Sequence, residues 1–232
     1  PHLPHKIQSE LPRLCQYQQN FLKNRWKAFS QMEEVEAIAL GGSRAGQNFD
    51  EKSDYDLYIY CTKVPEEEKR KAVLENCCNY MEIGNHFWEL EDDCTLKDGI
   101  DIDILYRNPD DFANEVASVV EQHSAHNGYT TCMWHNLIHS RILYDVSGKF
   151  AQMQKRFDVP YPEELRKNII AQNQKLLTGM LPSYDLQIKK ALKRQDWVSV
   201  NHRTAAFLES YFDIIFAMNR LTHPGEKRMV QY

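Results

Sequence analysis

The chain has 232 residues, 42% of them hydrophobic and 26% charged, with a formal net charge of −5. That composition suits one large or two modest globular domains with a real core. It offers no apolar run of the roughly 18 residues a membrane span needs, and no global basic field for non-specific nucleic-acid binding. The opening PHLPHKIQSE lacks the charged-then-apolar layout of a signal peptide. Six cysteines, with no Cys-x-x-Cys pair among them, fit a reducing cytoplasm better than a disulfide scaffold.

In chain order, residues 6–34 read as a helix, with Leu11, Leu14, Tyr17, Phe21, Leu22, Trp26 and Phe29 at three- and four-residue spacings. EVEAIALGG then gives a short strand ending at Gly41-Gly42, and DYDLYIYCT, alternating acid and apolar residues, a second. PEEEKRKAVLENCCNYM reads as a helix, with Pro65 in its first turn and acids at its N-terminal end. HFWELEDDCTLKDGIDIDILYR reads as a hairpin turning at Asp98-Gly99. PDDFANEVASVVEQHSAH is helical, and TTCMWHNLIHSRILYD is a helix passing into a short extended piece.

Between residues 146 and 162, SGKF and VPYPEE carry the Gly and Pro punctuation of a boundary. Three or so helices follow over 163–221, with Pro182 separating the first two. The expected architecture is α+β. A domain over 1–150, a mixed sheet with flanking helices, precedes a helical bundle over 151–232.

The stretch ALGGSRAGQNFDEKSDYDLYIY carries the chemistry. Asp54 and Asp56 stand at i and i+2 on a strand, so their side chains share a face. Two carboxylates this close repel unless a cation neutralises them, and a hard divalent ion, Mg²⁺ or Mn²⁺, suits oxygen donors. Gly41 and Gly42 let the backbone approach a ligand, Ser43 offers a hydroxyl and an amide, and Arg44 a charge. Phosphates above a metal, with carboxylates beneath it, make a nucleoside-triphosphate site. In GIDIDILYR, Asp101 and Asp103 share a strand face opposite Ile100, Ile102 and Ile104. One of them would complete a three-carboxylate, two-metal cluster for in-line nucleotidyl transfer. Glu89, on the partner strand of that hairpin, would serve as general base.

Gly42-Ser43, Asp54-x-Asp56 and a later acidic strand together resemble the nucleotidyltransferase superfamily that includes DNA polymerase beta. GGSRAG followed by SDYDLYIY is close to its small bacterial members. YFDIIFAMNRLTHPGEKR and WHNLIHSRILYD look like segments of the aminoglycoside and lincosamide nucleotidyltransferase-like group. The resemblance implies that Gly42 and Ser43 bind the β- and γ-phosphates, and that Asp54, Asp56 and Asp103, or alternatively Asp101, hold Mg²⁺. It also implies that the helical domain closes over nucleotide and acceptor, with Lys227 reaching a phosphate.

The resulting expectation is transfer of AMP from ATP to a hydroxyl of a small acceptor, an antibiotic by resemblance. Modification of a protein or RNA, and a non-catalytic nucleotide-binding module, are the competing readings. Nucleic acid is not an expected partner, and the oligomeric state is open, a homodimer included. His135 and His139 have a zinc-compatible i, i+4 spacing, but no glutamate follows His135, so a packed or surface pair is expected, as for His123 and His126. The basic run Lys189, Lys190, Lys193, Arg194 reads as a solvated face. Tyr211, Phe212, Ile215 and Phe216 read as helix packing.

Overall fold

A computed structural model describes residues 26–46, 52–87, 89–179, 181–227 and 229–231. One compact unit extends to Phe112 and takes in His139–Met153; the other comprises Ala113–Ile138 and the chain from Gln154 on. The architecture is α+β, with a mixed sheet and flanking helices in the first unit and helices in the second.

The sheet contains β1 (Val35–Leu40), β2 (Tyr55–Cys61), β3 (Cys78–Asn85), β4 (Glu91–Leu96), β5 (Asp101–Arg107) and β6 (Arg141–Asp145), in the order β3-β4-β5-β2-β1-β6. The β2 and β5 strands pair parallel, and the other neighbours pair antiparallel. Alternation explains which way each strand faces. Tyr55, Leu57, Ile59, Ile102 and Ile104 have no exposed surface and pack with Ile38, Leu40 and Cys94 in one core layer. The intervening residues, Asp56 and Asp103 among them, take the opposite face. There Tyr60 packs on Phe112 and Phe150, with ring centroids at 5.5 and 4.6 Å.

The helices, in chain order, are α1 (Trp26–Phe29), α2 (Gly42–Ala45), α3 (Glu67–Leu74), α4 (Pro109–Val120), α5 (Cys132–His139), α6 (Lys149–Phe157), α7 (Glu163–Gln174), α8 (Tyr184–Lys193) and α9 (Trp197–Met218). Of the helix expected over 6–34, α1 is the helical part among described residues; positions before 26 lie outside them. The hairpin at Asp98-Gly99 is present as β4–β5, with Gly99 at φ +84°. The three helices after residue 163 are α7, α8 and α9, the first two flanking Pro182.

One local expectation is corrected. The helix expected to run to Met81 closes at Leu74, and Cys78–Asn85 is the edge strand β3. Its pairing with β4, which buries Cys78, outweighs a local composition without clear alternation. The punctuated stretch 146–162 contains the helix α6, whose Phe150, Met153 and Phe157 are buried.

The helical unit is fastened by a buried polar network. The Asp213 carboxylate accepts from Thr130 N and Oγ1, at 3.1 and 2.7 Å, and from Asn173 Nδ2 at 3.1 Å. Asn173 Oδ1 in turn accepts from Gly128 N at 3.0 Å. His223, fully buried, donates its backbone N–H to Thr131 Oγ1 at 2.8 Å. Asp196 caps α9 by accepting from Ser199 N. No helix among the described residues is long and apolar enough to cross a membrane.

Candidate active site

The chain leaves β1 at Gly41, whose N–H donates to Asp56 O at 2.8 Å and so ties the turn to the start of β2. Gly42 opens the short helical turn α2 in the left-handed region, at φ +57°. A Cβ there would lie 1.7 Å from Asp56 Oδ2, so backbone and carboxylate touch where a side chain would stand. Beneath Gly41 lies the ring of Tyr58. The turn therefore faces the acids, and its glycines are needed for that approach.

Asp56 and Asp103 are register partners on the parallel pair. The row continues through Asp93 on β4 to Glu82 on β3. Neighbours in such a row stand about 4.8 Å apart on one face. Asp54, half-buried, lies two residues before Asp56. Asp101 is exposed, two residues before Asp103, and accepts from Thr95 Oγ1 at 2.8 Å.

Other expected participants are placed differently. Glu89 lies outside the strand, before β4, and its two carboxylate oxygens accept from Arg107 Nε and Nη2, each at 2.7 Å. Arg107 is itself held over the rings of Tyr58 and Phe112, at 4.4 and 4.8 Å. Arg44 is turned inward and is 3% exposed. Lys227 is exposed and belongs to the helical unit. In that unit His135 Nδ1 lies 2.7 Å from Thr222 Oγ1, a packed histidine as expected.

Asp93 and Glu91 were not anticipated. The alternation in ELEDDCT would have put both on one strand face, but nothing local shows that this face adjoins Asp103. Glu91 is 8% exposed, and its side chain has no hydrogen bond or ion pair among the described residues. Burial, and then the charges of Asp93, Asp103 and Glu89, push its carboxyl above the ordinary range. Glu91 thus stands among like charges. Among the described residues, however, no three His, Cys, Asp or Glu side chains gather into a group able to hold a metal ion.

Residues 130–229 match the family model described as a domain of unknown function, DUF4037. No curated protein matches the chain. Residues 24–122, which contain the glycine turn and the acidic row, match the family model described as polymerase beta, nucleotidyltransferase. This part of the chain is a nucleotidyltransferase domain of the DNA polymerase beta-like superfamily.

Proposed function

We propose that the protein is a metal-dependent nucleotidyltransferase that moves AMP from ATP to a hydroxyl of a small acceptor and releases pyrophosphate. The observation that carries this reading is the contact between Gly42 and the Asp56 carboxylate, with Asp103 beside Asp56 in register. An anion-binding turn and paired carboxylates meet at one point, as a metal–triphosphate complex requires.

The acids fit a hard divalent cation by their chemistry. They are oxygen donors on neighbouring strands, and a cation between them would relieve their repulsion. Asp54, Asp56 and Asp103 would hold it, Mg²⁺ in two copies or Mn²⁺ in its place, with Asp101 as the alternative third acid. When bound, the metal supplies charge neutralisation at the triphosphate and lowers the cost of forming the attacking oxygen.

The chain's own residues bind and orient. Ser43 and the Gly42 and Ser43 amides hold the β- and γ-phosphates. The acceptor oxygen bonds to the α-phosphorus, the bond to the β-phosphate oxygen breaks, and the acceptor proton passes to a carboxylate of this face. Glu89 is not assigned that role, because Arg107 occupies both its oxygens.

Asp93, Glu91 and Glu82 extend the negative charge along the sheet. That favours an acceptor bearing amines over an anionic polymer. An aminoglycoside- or lincosamide-like antibiotic, modified in the cytoplasm, is the acceptor class proposed. The test incubates the protein with α-labelled ATP, Mg²⁺ and a panel of hydroxylated amines, reading labelled acceptor and pyrophosphate. Asp56→Asn and Asp103→Asn should each abolish transfer without lowering Tm. Transfer retained in either variant would refute the metal assignment, and label entering only a partner protein would replace the acceptor class.

A further inference from the structure

Arg44 stands one residue beyond Ser43 in the anion-binding turn, where a guanidinium would ordinarily be read as a phosphate ligand. Its side chain goes the other way. Nε donates to the carbonyl oxygens of Ser53, at 2.7 Å, and Asp54, at 3.1 Å. The guanidinium carbon lies 4.2 Å from the centroid of the Tyr55 ring. Ser53 and Tyr55 are themselves buried.

These two carbonyls belong to the peptide planes on either side of the Asp54 Cα. One donor that holds both planes fixes the backbone torsions between them. It thereby fixes the direction in which the Asp54 side chain leaves the chain. Stacking on Tyr55 holds the planar donor in place, which a lysine ammonium does not reproduce. Arg44 therefore connects the turn that would take phosphate to the residue that leads into the acid strand.

We propose that Arg44 is a positioning residue: it sets the Asp54 carboxylate relative to the Gly42–Ser43 turn and does not touch the nucleotide. This rests on the nucleotidyltransferase reading above. Loss of the brace would weaken metal binding at Asp54 and leave the phosphate contacts of the turn intact.

The experiment compares wild type, Arg44→Lys and Asp54→Asn. Mn²⁺ binding to the nucleotide-free protein is measured by electron paramagnetic resonance, and ATP KM at saturating Mg²⁺ by pyrophosphate release. Arg44→Lys should bind Mn²⁺ at least tenfold more weakly, in the direction of Asp54→Asn, and need correspondingly more Mg²⁺ for half-maximal rate. Its ATP KM at saturating Mg²⁺ should stay within about threefold of wild type. A raised KM with an unshifted Mn²⁺ affinity would make Arg44 a nucleotide ligand and overturn the proposal. Wild-type metal dependence in the variant would overturn it too. If wild type neither binds Mn²⁺ nor releases pyrophosphate, the nucleotidyltransferase reading fails first and this one with it. Should Arg44→Lys melt below the assay temperature, Arg44→Ala takes its place. Added methylguanidine should then restore Mn²⁺ affinity, and failure to do so counts against the brace.

Discussion

Gly42→Ala perturbs the point at which the turn meets the acids. Alanine at φ +57° would sit in the left-handed region, at a backbone cost of about 1 kcal/mol. That sets the expected loss of folding stability, because Gly42 is exposed and the turn can shift outward. The larger effect is local. The new Cβ would lie 1.7 Å from Asp56 Oδ2, so turn and carboxylate must part by more than an ångström to reach ordinary contact. A displacement of that size at a reacting centre costs about 100-fold in rate, or roughly 2.7 kcal/mol of transition-state stabilisation. Binding of a non-hydrolysable ATP analogue with Mg²⁺, by calorimetry, and pyrophosphate release should both show the loss, while thermal melts show a modest shift. Gly46→Ala is the control: its φ is −95°, and the nearest atom to an added Cβ is Ser43 O at 3.8 Å. It should stay within about twofold of wild type, as an unstrained exposed substitution does. If Gly42→Ala binds and reacts like wild type, or Gly46→Ala is harmed as much, the close approach has no part in function.

Asp92, fully buried, is paired with Arg70 at 2.6 Å and also accepts from Tyr106 Oη and Gly84 N. Asp92→Ala leaves a buried guanidinium without its partner and should cost about 3–5 kcal/mol in urea unfolding; a loss below about 1 kcal/mol would mean that water reaches the pair. His223 and Asp213 should oppose one another with pH. Burial lowers His223 to about 4, so the unfolded chain takes that proton first, and its contribution is lost as pH falls from about 6.5 to 4. Burial raises Asp213 to about 6, so its contribution is lost as pH rises from about 3.8 to 6. Relative to wild type, His223→Gln should gain stability as pH falls from 6.5 to 4, and Asp213→Asn should lose it below pH 6, each by about 3 kcal/mol. Differences of the same sign in the two variants would contradict the assignment. Glu91 has its pKa raised, so ionising it opposes folding. Glu91→Gln should therefore raise Tm at pH 8 and leave it nearly unchanged well below the ordinary carboxyl range; equal shifts at both would point to packing instead.

Much of the first unit could be read locally. The alternation in YDLYIYC and DIDILYR assigns Leu57, Ile59, Ile102 and Ile104 to the core and Asp56 and Asp103 to the other face, as found. Gly41-Gly42, the Asp98-Gly99 hairpin and the three helices after residue 163 were equally plain. The β3 strand was hidden because an edge strand with only Cys78 of its eight residues buried has little period of its own. Arg44 is read from its place in the turn and Glu89 from its place in the hairpin, and chain position does not say whether a side chain turns outward to a ligand or inward to Ser53 O, or whether Arg107 claims it.

By itself the sequence determined which residues share a strand face and where the backbone has freedom to turn, since both depend on neighbours a few positions apart. Only the tertiary structure decided that Asp56, Asp103 and Asp93 form a row, and that Gly42 presses on the first of them. Those relations come from the register between strands distant in the chain, and that register is set by core burial and hydrogen-bond pairing over the whole sheet.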